Sequence, residues 1–402
     1  MTVQALDLSD TEHDAFVRDH PNGHLMQTTA WGREKEHTGW SWRTVAVGRE
    51  SEEAREVTGV ALLLFRRLPV LPFALCYLPR GPVLDWSDEE TLDALLDEVR
   101  RVAAEHRGVT LRIDPAVRAS DPCCRDALER RGFARTDPGE DAARTLAQPA
   151  LRMVTDISDI EALHQALPQG TRWSIRKSAR SGLVYESVGR EKIPAFYELM
   201  RATGERDGFG IRSLEYFTTL YDLLSPTGDI TVSLVRLDPA QAVEGARATK
   251  AESHKQLAAL EKKPDSDKRA RQKESLTQSI ANADELIDTY EAMVEAGSEG
   301  PYLAGSVFAT NGTRGSYLYA ASSNEHRNLR PNYLMVWQLM QDASARGVRT
   351  FDFGGIDASE GLEEFKRQWE PERVEYVGEF TQRLRGATGW LVERAVSLYK
   401  RR

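Results

Sequence analysis

The sequence predicts an α+β fold of two structurally similar halves, with an antiparallel helical hairpin inserted in the second half. A length of 402 residues exceeds what one hydrophobic core usually supports and favours two domains. The order strand, strand, helix, strand occurs twice along the chain. Between the two occurrences, residues 239–301 show helical spacing with a single internal proline, Pro264.

In the first half, two apolar runs of strand length precede an amphipathic helix. The runs are VTGVALLLFR (57–66) and ALCYLPRGPV (74–83), with prolines between them. The segment TLDALLDEVRRVAAEHRG (91–108) has apolar residues at intervals of three and four and ends in glycine, which is typical of an amphipathic helix. The run VTLRID then predicts a closing strand that ends before Pro115.

The second half repeats this order. PYLAGSVFAT (301–310) and SYLYAA predict a hairpin around the turn NGTRG, and NYLMVWQLMQDASARG (332–347) predicts a helix that ends in glycine. VRTFDFGG predicts the closing strand. The repeat places the first subdomain at 1–150, the second at 151–239 together with 300–402, and the hairpin arm at 240–299.

The arm shows the spacing of a coiled coil. Its second helix has apolar residues at intervals of four and three, as in the a/d seam of heptads, and its first helix keeps the spacing with two polar members. The predicted seam consists of Val243, Ala246, Lys250, Ser253, Leu257 and Leu260, facing Leu276, Ile280, Ala283, Ile287, Tyr290 and Val294.

The tip of the arm is basic. From Arg247 to Lys273 there are nine Lys/Arg and four acidic residues, a balance of nine minus four, or +5. A solvated coiled-coil surface or a dimerisation element is one interpretation. The other is a lever whose tip contacts RNA phosphates, which clustered cations favour. The candidate RNA-binding residues are Lys262, Lys263, Lys268, Arg269 and Arg271.

Composition excludes several classes of protein. Three cysteines and eight scattered histidines offer no disulfide framework and no metal-binding spacing, so we expect neither metal nor cofactor. The net charge of −9 argues against a protein coated in nucleic acid, but not against a local basic patch. No run resembles a membrane span or an export signal, so we expect a cytoplasmic protein.

Several stretches, in order along nearly the whole chain, resemble the FemABX family of non-ribosomal peptidyl transferases. Each stretch alone is weakly specific, whereas their order and spacing together are strongly specific. They are MQTTAWGREKEHTGW (26–40), YLPRGPVLDW (77–86), LRIDP (111–115), RWSIRKSARSGLVYE (172–186), RDGFGIRSLEYF (206–217), FDFGGI (351–356) and GLEEFKRQWEPERVEYVGEF (361–380).

The resemblance implies two tandem acetyltransferase-like (GNAT) subdomains and an arm similar to that of seryl-tRNA synthetases. It also implies a FemX-like enzyme that moves an amino acid from aminoacyl-tRNA, the donor, to an amine of a peptidoglycan precursor, building the interpeptide bridge. The acceptor would be a lipid-linked or a UDP-linked muropeptide. The amino acid transferred, the bridge position and the oligomeric state are not predicted.

The resemblance also implies an acceptor site. It places Lys35 against the acceptor phosphates, and Arg212 and Tyr216, four residues apart, on a surface that suits a phosphate or a sugar acid. Arg206 belongs to the same cluster. A surface lysine and a helix-surface ion pair are the bland alternatives. Tyr317 is a further candidate, although Tyr319, expected on the same face of the strand, serves equally well.

Three residues are the candidate catalytic group. The family pattern puts Asp114 near the acceptor amine, whereas an aspartate before proline otherwise often caps a turn. Phe365 and Lys366, read as following a Gly-Leu loop, would meet the adenosine and the ester of the donor; a core aromatic beside an exposed lysine is the alternative. Aminolysis of an activated ester needs mainly orientation and electrostatics, which one carboxylate and one lysine supply.

Other functions are weighed against this one. An acyl-CoA N-acetyltransferase shares the architecture, but neither GPVLDWSDEE nor HRNLRPNYL has the glycines of a pyrophosphate-binding loop. An aminoacyl-tRNA-dependent transferase acting on a non-cell-wall amine, or a non-catalytic coiled-coil adaptor, are further alternatives. We expect the basic tail, residues 381–402, to pack on the second half, with peripheral contact at the inner membrane surface as the alternative.

Overall fold

The computed structural model describes residues 2–51, 54–68, 71–136, 147–262, 264–355 and 360–386. The strands are β1 (Gln4–Leu6), β2 (Ser41–Glu50), β3 (Arg55–Arg67), β4 (Ala74–Leu78), β5 (Val83–Leu84), β6 (Gly108–Ile113), β7 (Ala134–Arg135), β8 (Leu151–Asp156), β9 (Leu183–Val188), β10 (Ile230–Leu237), β11 (Tyr302–Asn311), β12 (Arg314–Ser322), β13 (Thr350–Gly355), β14 (Glu372–Glu375) and β15 (Phe380–Arg383). The α-helices are α1 (Asp10–Asp19), α2 (Thr29–Glu36), α3 (Glu89–Glu105), α4 (Pro122–Arg130), α5 (Ile160–Ala166), α6 (Gln169–Ala179), α7 (Ile193–Asp207), α8 (Leu214–Leu224), α9 (Pro239–Glu261), α10 (Asp267–Glu295), α11 (Pro331–Ala345) and α12 (Glu360–Arg367).

The predicted repeat is present in the topology of two sheets. The first has the order β1-β2-β3-β4-β6-β15-β7, with β5 beside β3, and the second has the order β9-β10-β11-β12-β13-β8-β14. In the first, β3 and β4 are antiparallel and α3 leads to β6, parallel to β4. In the second, β11 and β12 are antiparallel and α11 leads to β13, parallel to β12.

The first sheet takes one strand from the second half of the chain, whereas every strand of the second sheet comes from residues 151–375. β15, at the C-terminal end, pairs with β6 of the first sheet, while β8 pairs with β13 of the second. The predicted assignment of all of 300–402 to the second subdomain is therefore wrong at β15. The prediction that the tail packs on the second half is also wrong for its described part, because Thr381 and Gln382 pair with β6 and Leu384 packs against the core of the first half. Residues 387–402 lie outside the described residues.

Helices cover both faces of the second sheet. α5, α6 and α11 pack on one face, around Ile175, Trp337 and Phe351, and α7 and α8 pack on the other, around Phe196 and Phe217. The first sheet buries α3 and α4 on one face and α1 on the other. The segment leading into α2, with Leu25, Met26 and Trp31, packs in the α7–α8 core and so joins the two halves.

The arm consists of two antiparallel helices. α9 and α10 have 23 and 29 residues, so they extend about 35 and about 43 Å at 1.5 Å per residue. Arg247 pairs with Glu291, and Lys250 with Asp284, which fixes the antiparallel direction. The six predicted seam positions of α9 are buried or half-buried.

The predicted seam of α10 is wrong at its C-terminal end. Val294 is 38% exposed, whereas Leu286, one residue before the predicted Ile287, is 6% exposed. The reason is that this end of α10 packs against the body of the second half, near Leu303 and Met335, as well as against α9. The burial pattern there follows the domain surface rather than a strict heptad.

No helix among the described residues is long and apolar enough to cross a membrane. The same residues contain no group of three or more His, Cys, Asp or Glu side chains placed to hold a metal ion.

Candidate active site

Asp114 lies directly after β6 and is 2% exposed. The hydroxyl of Tyr77 donates a hydrogen bond to its Oδ2 at 3.1 Å, and the backbone N–H of Arg80 donates to Oδ1 at 2.8 Å. The Arg80 guanidinium lies 3.8 Å from Oδ2. Asp114 therefore does not cap its own turn, because its partners are on β4 and the loop that follows β4.

Burial raises the pKa of Asp114 to about 6, although the charge and the N–H of Arg80 oppose the shift. A carboxyl group with this pKa exchanges its proton near neutral pH, as a general base must. It can therefore accept a hydrogen bond or a proton from an ammonium group that enters the site.

The loop after β4 is held in place by Gln27. The Gln27 amide donates to the carbonyl of Pro79 at 2.7 Å and accepts from the N–H of Leu62 at 2.8 Å. Gly81 lies so close that a Cβ there would meet the Gln27 side chain at 2.4 Å. Arg80 adopts a left-handed conformation with φ +56°, which aims its N–H at Asp114.

Lys35 lies on α2 in a nearly closed pocket. Its side chain is 14% exposed, and Nζ lies 2.7 Å from Oε2 of Glu34, a carboxylate with no exposed surface. Nζ also lies 4.2 Å from the Trp31 ring centroid and 5.6 Å from that of Tyr216. Burial lowers the pKa of Lys35, and Glu34 opposes this shift. The alternative of a solvated surface lysine is therefore wrong.

Arg212 approaches the same ring from the second half. It precedes α8, and its guanidinium carbon lies 5.3 Å from the Tyr216 ring centroid. The Tyr319 hydroxyl donates to that of Tyr216 at 2.9 Å. Two cations from different halves thus converge on one phenol, with Glu34 as the one acid among these contacts. Their arrangement favours an anionic group between them.

Tyr317 and Tyr319 lie on different faces of the second sheet, so the expectation that they share a face is wrong. Across the hairpin, Tyr319 faces Val307, and Tyr317 faces Phe308. Leu318 is therefore an extra residue, and the register shifts at this point. Tyr317 packs against Phe351 and Phe353 under α11. Tyr319, rather than Tyr317, contacts the Arg212 and Tyr216 cluster.

Arg206 is bound to backbone at the end of β12. Its Nη1 donates to the carbonyl of Ser322 at 2.9 Å and to Oδ1 of Asn324 at 3.1 Å, and its Nε donates to Asp207 at 2.8 Å. These contacts position the start of the loop that leads to α11. They do not bring Arg206 to Lys35 or Tyr216.

Phe365 and Lys366 lie on helix α12, not after a loop as the sequence predicts. Lys366 is 7% exposed, and its Nζ donates to the carbonyl of Gly355, at the end of β13, at 2.5 Å. The half-buried Phe365 packs edge-to-face on Tyr333 of α11 with 5.4 Å between ring centroids. The alternative of an exposed lysine beside a core aromatic is therefore wrong.

The second sheet is open beside Lys366. β12 and β13 pair only from Arg314–Thr350 to Ser316–Asp352, and then separate toward their carboxyl ends. The equivalent strands β4 and β6 pair up to Leu78–Ile113. A gap between parallel strands leaves backbone groups without sheet partners, and this gap is bordered by Phe353, Tyr317 and the Gly355 carbonyl.

An ion pair connects the neighbourhoods of Asp114 and Lys366. Arg152 of β8 donates from Nε to Oδ2 of Asp352 at 2.6 Å, and both side chains are about one-tenth exposed. Asp352 Oδ1 accepts from the N–H of Gly354, next to the Gly355 carbonyl that binds Lys366. The negative charge of Asp114 in turn helps to raise the pKa of Arg152. Strand β8, the first strand of the second half, thus carries contacts from one candidate catalytic residue toward the other.

A family model described as the FemAB family matches residues 8–393. The chain belongs to the FemAB family. A relative from Staphylococcus aureus, the lipid II:glycine glycyltransferase, is 37% identical over 395 residues, which cover 94% of this chain and 92% of that protein. The crystal structure of FemX is 36% identical, with a TM-score of 0.82, and the match covers 97% of this chain and 100% of that chain.

A second solved structure extends the likeness to the fold alone. The tandem GNAT protein from the clavulanic acid biosynthesis pathway matches with a TM-score of 0.50 and 12% identity, over 95% of this chain and 98% of that chain. The FemAB-family chain described here therefore has an α+β fold of two GNAT-like halves, which confirms the predicted fold class.

Sequence reasoning named Tyr319 as an alternative to Tyr317 but missed several residues of the site: Gln27, Glu34, Tyr77, Arg80, Arg152 and Asp352. Tyr77 and Arg80 lie in YLPRGPVLDW and Asp352 in FDFGGI, so a search within the matched motifs would have found them. Glu34 gives no signal beyond its position next to Lys35. Arg152 lies just after the predicted boundary at 150, and its role depends on the pairing of β8 with β13, two strands far apart in sequence, which no local pattern reveals.

Proposed function

We propose that this protein transfers an amino acid from aminoacyl-tRNA to an amine of a peptidoglycan precursor, as part of building an interpeptide bridge. The observation that carries the proposal is the convergence of Lys35 and Arg212, from the two halves, on Tyr216. This cation pair suits the diphosphate of a lipid-linked or UDP-linked muropeptide. Similarity to a glycyltransferase named for lipid II supports an acceptor of this class.

The reaction joins an amine nitrogen to the ester carbonyl carbon of the donor. Asp114, with a pKa of about 6, orients the acceptor ammonium and accepts its proton. The C–N bond forms, the bond from carbonyl carbon to ribose oxygen breaks, and the ribose hydroxyl leaves with a proton. In this proposal the ammonium of Lys366 stabilises the oxyanion and the ring of Phe365 contacts the terminal adenine; the burial of Lys366 beside the Gly355 carbonyl and of Phe365 against Tyr333 supports these roles.

The experiment is a transfer assay with a panel of charged tRNAs against both lipid II and UDP-MurNAc-pentapeptide. We expect one aminoacyl group to be transferred to one acceptor form with hydrolysis of the ester as the background reaction. Acetyl-CoA added in place of charged tRNA tests the rival N-acetyltransferase. Acetylation without aminoacyl transfer would overturn the proposal.

Retention of radiolabelled amino acid by the protein after denaturation tests the route of transfer. We expect none, because burial raises the pKa of both Cys76 and Cys124 and leaves their thiols un-ionised at neutral pH. Cys123, the exposed cysteine, also has a raised pKa, since Asp121 lies nearby. A stable aminoacyl-enzyme would contradict direct transfer.

A further inference from the structure

Helix α6 has an exposed face that combines one aromatic residue with cations. Trp173, Arg176, Lys177 and Arg180 follow at helical spacing and share one side. Ile175, on the opposite side, is buried in the core under α11. The Trp173 residue is 50% exposed, and Lys177 Nζ lies 5.3 Å from its ring centroid.

The charge of this face is uncompensated. None of residues 162–185 is acidic, although the chain as a whole carries a net charge of −9. Among the described residues, Arg176, Lys177 and Arg180 form no ion pair, whereas Arg101 and Arg131 elsewhere each contact two carboxylates. Three neighbouring cations without an acid make a local positive potential.

One end of the face lies toward Phe365 and Lys366. The charge of Arg330, at the start of α11, adds to burial in lowering the pKa of Lys177. The Arg330 guanidinium carbon lies 5.9 Å from the Tyr333 ring centroid, and that ring packs on Phe365. The cations therefore continue from α6 to the start of α11, where Tyr333 packs on Phe365 of α12.

The other end leads to the arm. The carbonyl oxygen of Arg180 lies against Gly245 of α9, where a Cβ would come within 3.2 Å. α9 then extends away from the body toward the basic tip at Lys262. The face therefore lies between the open strands of the second sheet and the base of the arm.

We infer that Trp173, Arg176, Lys177, Arg180 and Arg330, here called the α6 face, bind the RNA phosphates next to the aminoacyl end of the donor. In this arrangement the indole of Trp173 stacks on an unpaired base and the cations contact the backbone. The inference rests on the proposed function and adds a binding surface close to the chemistry, separate from the arm tip.

RNA fits this face better than a membrane surface does. A helix that lies in a bilayer interface needs an apolar face of several residues, whereas the apolar side of α6 is buried in the protein core. Only Trp173 is left for insertion. The position beside Phe365 also matches a polymer whose end enters the site.

The test uses the triple variant Arg176→Ala, Lys177→Ala, Arg180→Ala in the full chain. The matched control is Arg43→Ala, Arg66→Ala, Arg67→Ala, which removes three exposed cations beside Trp40 and Trp42 on the first half. The probes are an acceptor-stem RNA hairpin with an unpaired CCA end, and vesicles of phosphatidylcholine with 30% phosphatidylglycerol. Thermal melts establish that each variant is folded.

We expect the triple variant to bind the RNA hairpin about tenfold or more weakly, with a salt-dependence slope reduced by about 2 to 3. Trp173→Ala should weaken RNA binding about tenfold with the slope unchanged. The control should bind RNA as the wild type does. Equal RNA binding by triple variant and wild type, or a loss of vesicle binding instead, would overturn the inference.

Transfer kinetics separate this inference from the proposed function. If the wild type transfers the amino acid, the triple variant should raise KM for charged tRNA with little change in kcat. If the triple variant transfers the amino acid with an unchanged KM for charged tRNA, the α6 face is not a donor-binding site, and the proposed function is unaffected. If the wild-type protein binds RNA through the α6 face but transfers no amino acid, the proposed function is wrong, and the α6 face remains an RNA-binding site.

Discussion

The two halves of this molecule share a topology but differ where their chemistry would take place. In the first half, β4 and β6 pair to their ends, and the carboxyl of Asp114 is buried among Tyr77 and Arg80. In the second, β12 and β13 separate, and Lys366 lies at the gap. The carboxyl group of the first half is thus enclosed, whereas the second sheet is open beside Lys366.

The two halves also differ in the length of one strand connection and in the charges that precede one helix. Four residues, 51–54, separate β2 from β3, whereas the equivalent β10 and β11 are joined through the whole arm. Acidic residues begin α3 of the first half, with Asp88, Glu89 and Glu90. Arg327 and Arg330 precede α11 of the second. The residues that lead into the helix are thus acidic in the first half and basic in the second.

The largest effect is expected from Asp114→Asn, which removes the titrating group of the first half. Transfer should fall by about 10² to 10⁴ in kcat, the usual contribution of a general base. In the wild type, kcat/KM should rise with pH through a midpoint near 6, the pKa of Asp114, because the carboxylate is the active form. A separate rise at high pH belongs to the acceptor amine. Rate profiles of both proteins measure this.

The same pKa makes a stability prediction. Since the folded-state pKa of Asp114, about 6, exceeds its ordinary 3.8, the folded protein binds more protons between these values. The contribution of Asp114 to the unfolding free energy therefore falls as pH rises from about 4 to 6. Asp114→Asn should abolish this component, and the exposed Asp126→Asn should leave it intact. An unchanged pH dependence in Asp114→Asn would contradict the assignment.

The comparison also separates what the sequence can predict from what it cannot. Strands β3, β11 and helix α3 were predictable, because apolar periodicity is a local signal. The pairing of β8 with β13 and of β15 with β6 was not, since pairing partners far apart in sequence leave no local trace. The bulge at Leu318, which separates Tyr317 from Tyr319, adds one residue without altering composition. Lys35 and Asp114 came from motif likeness, and burial alone distinguishes them from surface residues.

Lys366→Ala tests the open half. We expect the single-turnover rate of aminoacyl transfer to fall by about 10² to 10³, as when one oxyanion-stabilising donor is removed. The binding of charged tRNA should change little, because the ammonium acts mainly on charge that develops in the transition state. The neighbouring Arg367→Ala, which breaks only an exposed pair with Glu363, is the control. A Lys366→Ala rate equal to the wild-type rate would remove this role.

Lys35→Ala and Arg212→Ala test the contact between the halves. Each should raise KM for the acceptor by about tenfold to a hundredfold, as when one charge-assisted hydrogen bond to an anion is lost. The double variant should cost less than the sum, since both cations serve one anion. Glu34→Gln should have a smaller effect, because Lys35 remains but loses its nearest carboxylate. Arg33→Ala, on the exposed side of α2, should leave KM for the acceptor unchanged.

The smallest effect is expected at the arm tip, the insertion that the first half lacks. Lys262, Lys268 and Arg271 are exposed, so their replacement by alanine should raise KM for charged tRNA about threefold to tenfold and flatten its salt dependence. Arg269 differs, because it pairs with Asp265 across the turn and is only 20% exposed. Arg269→Ala should therefore lower the melting temperature more than it changes tRNA binding. Lys263 lies outside the described residues.

An unchanged KM for charged tRNA in the triple tip variant would leave the arm as a solvated or dimerising element, which sedimentation at increasing protein concentration would decide. The Arg43, Arg66 and Arg67 control removes the same charge from the first half, so a similar loss there would trace the effect to overall charge. If only the arm-tip variant weakens the binding of charged tRNA, the two halves differ in how far they extend toward the donor as well as in chemistry. A tRNA is far larger than any pocket of the second sheet, and a projecting pair of helices is one way for a small opening to hold so large a donor.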